Sequence, residues 1–209
     1  MALSDLFSNV HLLLRWIHVF AGIVWIGHLY FFNFVNIPFQ GTIAADVKKT
    51  VNPQLMARAL WWFRWGAMVT FLAGLLLFTQ LYMYGAGDGF GPSELFMGAD
   101  GITGRAIWIL MGMVVGTIMW FNVWFIIWPA QQKILPAVRD GSAVDPALPK
   151  RAAMASRVNT YLSGPMLFGM LAANHYGGVN TITLVVATAL GLFAIWWSYK
   201  TASKVGKSV

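Results

Sequence analysis

The chain has 209 residues, of which 58% are apolar and 10% charged, with a formal net charge of +7 and no cysteine. A soluble domain carries about a quarter charged residues, so the composition points to lipid as the solvent. The missing thiols exclude disulfides, thiolate metal sites and covalently attached haem, leaving His and Met as the strong side-chain ligands for a transition metal.

Five long apolar segments follow one another. The first runs over residues 9–36, with Ser4 or Asp5 as a cap and Pro38 as its stop. The second runs over 55–84 and gives way to a glycine-rich loop. The third runs over 104–128 and meets Pro129; residues 131–138 read as its continuation beyond the bilayer. The fourth spans 151–174, ahead of Gly177 and Gly178, and the fifth spans 181–199. Each is about the ~20 residues needed to cross a bilayer core. They are continuous rather than alternating, which excludes a β-barrel. With no repeat and no internal linker, the expectation is one all-α membrane bundle of about five transmembrane helices. Asp5, Arg15 and His18 do not fit a cleavable leader, so the first helix is expected to be retained.

The charge is distributed as a topology signal. Lys48, Lys49 and Arg58 flank the start of the second helix, Lys133, Arg139, Lys150 and Arg151 lie between the third and fourth, and Lys200, Lys204 and Lys207 follow the fifth. The intervening loops carry no basic residue, and the loop before the third helix carries Asp88, Glu94 and Asp100. The positive-inside rule then places the amino terminus outside and the carboxyl terminus inside. No run of basic residues with interleaved aromatics is present, so the expected partner is the lipid bilayer and not nucleic acid.

The first helix carries a polar stripe. His11, Arg15, His18, Gly22 and Trp25 are spaced by four, three, four and three residues and so share a face. Ionisable side chains at membrane depth turn inward. His18 lies on the order of 15 Å below the start of the helix, Arg15 lies one turn outward, and Gly22 leaves room for a flat or bulky group. That is the arrangement a non-covalent haem b uses, with imidazole on the iron and a cation for the propionates. A hydrogen-bonded structural histidine is the competing reading. Among the four histidines, His175 at the outer end of the fourth helix is the candidate second axial ligand, with His11 as a substitute. His28 lies well off the stripe and deeper, as a hydrogen-bonding residue or a ligand in a separate site. A copper-handling protein using His11, His18 and His175, or a cofactor-free accessory subunit, are the alternatives to haem.

Other polar positions are less pointed. Arg64 reads as a snorkelling cation, Arg157 and Asn159 as binders of an anion or quinone headgroup or as helix–helix hydrogen-bonding residues, and Gly112 with Gly116 as a close-packing motif. Met111, Met113 and Met119 share no face and read as packing. No nucleophile motif, phosphate loop or intramembrane carboxylate is present, and no catalytic residue is assigned.

Three stretches carry a family resemblance: Leu14–Gly27 (LRWIHVFAGIVWIG), Asn122–Gln132 (NVWFIIWPAQQ), and Ala155–Phe168 (ASRVNTYLSGPMLF) running on to Asn174-His175-Tyr176. Together they resemble the membrane domain of the bacterial membrane-bound urate oxidase (urate hydroxylase) family, from the first helix to the fifth. The resemblance implies a multi-pass protein of the bacterial inner membrane, linked to respiratory electron transfer. Its implied partners are other membrane subunits or a cytochrome c, because full-length members carry a cytochrome c domain after the membrane domain. His18 and His175 both fall within the recurring motifs.

Overall fold

The structure, a computed structural model, describes residues 5–85 and 89–207. It is a bundle of five long helices: α1, Leu6–Gln40; α2, Ala45–Tyr82; α3, Gly104–Asp140; α4, Ala147–His175; and α5, Thr181–Ala202. Four of them, α1, α2, α3 and α5, are long and apolar enough to cross a membrane. α1 packs along α2, α3 packs along α4, and α5 closes the bundle against α4. The loop between α2 and α3 folds into two short hairpins, Tyr84–Gly85 with Gly89–Phe90 and Met97–Gly98 with Gly101–Ile102. Ser4 and Asp88 lie outside the described residues.

The helix ends follow local chemistry. The Asp5 carboxylate accepts from Ser8 N at 3.1 Å, Thr103 Oγ1 accepts from Ala106 N at 3.0 Å, and Asn180 with Thr183 forms a capping box. α3 terminates at Gly141, whose φ of 68° suits a residue without Cβ. α2 begins at Ala45, ten residues before its expected start, with Asp46 complementing the helix dipole in its first turn. Gln40 and Asn52 exchange two amide hydrogen bonds, at 2.8 and 3.0 Å, and tie that early start to the end of α1.

The expected stop at Pro38 is passed, and α3 runs on through Pro129, in line with the continuation expected over 131–138. In each case a π-helical turn stands immediately before: Phe31–Asn36 in α1 and Asn122–Ile127 in α3. A proline removes one N–H and crowds the carbonyl four residues back. Widening the preceding turn to i→i+5 bonding shifts that carbonyl out of register and lets the helix run on.

The π turns also present asparagines to α4. Asn33, only 2% exposed, donates to Leu29 O and to Ser156 Oγ, both at 2.9 Å, and accepts from Tyr199 Oη at 2.9 Å. Asn122 donates at 2.7 Å to Asn159, which is fully buried and donates in turn to Met119 O at 2.9 Å. Ser163 donates to Thr160 O, which leaves its oxygen to accept from Tyr30 Oη at 2.9 Å. α4 is therefore the polar helix of the bundle, and its polar groups are satisfied inside it. Of the pair singled out in the sequence, Asn159 makes helix–helix bonds while Arg157 faces elsewhere. Arg64 stacks on Trp128, its guanidinium carbon 3.7 Å from the ring centre.

Backbones meet closely along α4. A Cβ on Gly169 would stand 3.0 Å from Gly112 N and from Trp108 O, so the expected close packing at Gly112 is present. On the other side, a Cβ on Gly191 would come within 2.6 Å of Pro165 N. Gly27, by contrast, has nothing within 4 Å of its missing Cβ. Gly191→Ala should therefore destabilise the protein by roughly 1–3 kcal/mol, as overpacking against backbone does, whereas Gly27→Ala should not. Thermal melts of the two detergent-solubilised variants test this, and equal melting temperatures would contradict the packing described.

Candidate functional site

A cavity of about 520 Å³ opens between α1, α2, α3 and α4. From α1 it is lined by His18, Gly22 and Trp25, three members of the stripe, and by Tyr30 at its inner end. Facing them are Thr70 and Gly74 of α2, Met113, Gly116 and Thr117 of α3, and Met166, Met170 and Leu171 of α4. Its walls are mostly apolar, and its volume falls within the roughly 300–1,000 Å³ of small-molecule and cofactor sites.

His18 is fixed within this wall. Its Nδ1 lies 2.8 Å from the carbonyl oxygen of Thr70. A carbonyl only accepts, so Nδ1 carries the proton, and the neutral ring keeps its lone pair on Nε2. The contact depends on Gly74, one turn beyond Thr70. A Cβ there would stand 3.0 Å from His18 Cε1 and 3.1 Å from Nδ1. Thr70 turns its own hydroxyl back to Gly66 O at 2.7 Å. A threonine and a glycine four apart on α2 thus form the seat of the imidazole. The stripe gives no hint of it, because the seat belongs to another helix. The thioethers of Met113, Met166 and Met170 were not legible as a group either, since they gather from two helices. Trp25 is 3% exposed and its buried indole N–H has no hydrogen-bond partner.

The other stripe residues stand outside the cavity lining. Arg15 is exposed. His11 is half-buried near the amino-terminal end of α1, its Nε2 buried without a hydrogen-bond partner, and Arg15 and Arg105 both act on it electrostatically. Arg105 is a further cation at this end of the bundle, inside the first turn of α3. It donates to Tyr82 Oη at 3.1 Å and to Asn174 Oδ1 at 2.6 Å, tying the end of α2, the start of α3 and the end of α4 together. His175 is exposed and does not line the cavity; it stands one turn outward from Leu171 on the same face of α4. His28 bonds Val24 O at 2.7 Å and lines a separate shallow groove with Arg58 and Trp62. Among the described residues no three His, Asp or Glu side chains gather as a metal site, so His11, His18 and His175 do not converge on a common copper cage.

Helices of this length and apolarity, closed around the buried polar face of one helix and a histidine-bearing cavity, define a multi-pass α-helical membrane protein. The family model described as urate oxidase N-terminal matches residues 94–202, more than half of the chain, and the chain belongs to that family. No curated protein and no solved structure matches it. The matched segment covers α3, α4 and α5, with two of the three recurring stretches. α1 and α2, which hold His18 and its seat, lie before the segment rather than within it.

The bond to Thr70 fixes a measurable property. In protein labelled with ¹⁵N-histidine, the His18 resonances should report a neutral Nδ1–H tautomer, and Gly74→Val should shift them by displacing the ring. An unprotonated Nδ1 in the unmodified protein would contradict this geometry.

Proposed function

We propose that this chain is a b-type haem-binding subunit that carries electrons in a respiratory membrane oxidoreductase. The single observation that supports this most is the Nδ1–H bond from His18 to the Thr70 carbonyl. Metal-ligating histidines almost always donate their other ring N–H in this way, which fixes the ring and makes the ligating nitrogen more basic. The residues around it fit the group. Gly22 and Gly116 remove side chains from the wall where a macrocycle would lie, Gly74 makes room for the His18 ring, the walls are mostly apolar, and the unpaired Trp25 N–H offers a donor. When bound, a haem supplies one-electron chemistry, and its axial ligands set the potential.

The chain's own residues would then divide the work. His18 holds the iron through Nε2, Thr70 orients His18, and Gly74 keeps the approach clear. Arg15, with His11 and Arg105 beyond it, offers positive charge on the outer side for carboxylates. A second ligand would come from His175, one turn beyond the cavity rim, or from one of the cavity thioethers. In this reading the basic loops face the cytoplasm, the membrane is the bacterial inner membrane, and the electron partner is a cytochrome c or a neighbouring membrane subunit.

Purified protein should contain about one iron per chain or more, with a Soret band and a pyridine haemochrome signal. His18→Ala should lose the bound haem. His175→Ala should convert a low-spin spectrum to high-spin. A full low-spin spectrum in His175→Ala, with the long-wavelength band of thioether-ligated ferric haem, assigns the second position to methionine instead. Iron-free protein that co-purifies with stoichiometric membrane partners would sink the haem reading and leave a cofactor-free accessory subunit.

A further inference from the structure

At the opposite end of the bundle from His175, a second and larger cavity of about 760 Å³ opens between the end of α1, the start of α4 and the end of α5. Three cations line it: Lys150 and Arg157 from α4 and Lys200 from α5. All three are exposed, and among the described residues none is in a salt bridge, since the one ion pair is Arg139 with Asp140. Aromatic rings hold two of them in place. The Arg157 guanidinium lies 5.4 Å from the Tyr199 ring centre, and the Lys200 ammonium lies 5.5 Å from that of Trp196. Tyr199 is itself anchored, donating to buried Asn33.

From these observations we infer that the cavity binds the headgroup of an anionic phospholipid. Three cations without a carboxylate partner at one opening match a phosphate group; Lys150 and Lys200 stand at helix ends, where headgroups lie, and Arg157 stands two turns further along α4. Basic pockets between transmembrane helices on the positively charged face are where anionic headgroups bind. The flanking surface suits acyl chains, because Ile37, Met154 and Trp196 line the opening and are themselves exposed large apolar residues. Trp and Tyr belong at this boundary between apolar and wet surroundings. A soluble phosphate would use the cations and leave that apolar flank unused. The site is independent of the histidine cavity and of any haem.

The test uses the full-length protein in nanodiscs of zwitterionic phosphatidylcholine, with phosphatidylglycerol or cardiolipin added at low fraction. Native mass spectrometry reads the retained lipid, and the melting temperature reads the linked stabilisation. The unmodified protein should retain anionic lipid selectively and melt higher in its presence. Lys150→Gln/Arg157→Gln/Lys200→Gln should bind it on the order of 100-fold more weakly, at about fivefold for each cation near the surface. Lys48→Gln/Lys49→Gln/Lys133→Gln removes the same charge away from the cavity and should leave retention unchanged. Should the first triple variant fail to fold, Arg157→Gln alone should still lose about fivefold. Equal losses in the two triple variants would reduce the effect to overall charge and overturn the site. Protection by glycerol 3-phosphate or inorganic phosphate as strong as that by lipid would overturn the lipid assignment.

Discussion

The hydrogen bonds that tie the two π turns to α4 are the constraint on which the bundle depends. In a bilayer core, water is not present to satisfy a polar group, so each must find a partner in the protein. α4 carries Ser156, Asn159, Thr160 and Ser163 near its middle, and those at 159, 160 and 163 are fully buried. The face that carries them turns inward, while Met154, Val158, Leu167, Phe168 and Leu171 leave the other face of α4 exposed. Asn33 and Asn122 reach the inward face from α1 and α3, each from a widened turn that stands just before a proline. The prolines, the asparagines and the polar helix form one dependent set. The histidine cavity lies outward of this set, with Tyr30, bonded to Ser163, as its inner boundary.

Glycine does two opposite jobs around that framework. Between lipid-solvated helices there is little hydrophobic drive to associate, and close packing carries more of the stability. Gly112 with Gly169, and Gly164 with Gly191, let α4 approach α3 and α5 backbone to backbone. Gly22, Gly74 and Gly116 instead line the cavity. The missing Cβ of Gly22 would meet Thr70 at 3.8 Å and that of Gly116 would meet Met166 at 3.9 Å, so at both positions the gap is ordinary contact distance rather than a clash. Gly74 is the exception, since its clearance is taken up by the His18 ring. The same residue type therefore holds the bundle closed on one side of α4 and leaves it open on the other.

Much of this was legible in the sequence, and what was not has definite causes. Five apolar segments gave five helices, because a run of some twenty apolar residues has few other stable solutions. The helix stop at Pro38 was misplaced, because a π turn lets a helix pass a proline and leaves no mark in hydropathy, whereas the continuation read over 131–138, beyond Pro129, is present. The stripe on α1 placed His18, Gly22 and Trp25 on one wall, since helical periodicity fixes a face. It also put His11 and Arg15 on that face, and neither lines the cavity: Arg15 is exposed and His11 is half-buried beyond it. His175 was matched to His18 by counting residues, and counting cannot see how α1 and α4 cross. Thr70 and Gly74 were invisible for a similar reason: their meaning lies in a contact across 52 residues of chain. Arg157 was read as a candidate for binding an anion, but the basic cavity as a whole was not legible, because its cations and rings come from different helices and no linear stretch of sequence contains them together.

The way His18 is held also constrains what the cavity can accept. Histidine ligands are often oriented by a carboxylate, but among the described residues the acids lie in loops or at helix ends, at positions 5, 46, 94, 100, 140 and 145. A backbone carbonyl orients and polarises the imidazole without adding a buried charge, whose desolvation would cost several kcal/mol in a bilayer interior. The cavity is consequently uncharged, while positive charge stands outward at Arg15 and Arg105. An occupant that needs protein carboxylates to balance it has none to use. One that carries its own acidic groups on its outer side, and a flat apolar body within, meets both the neutral wall and the outer cations.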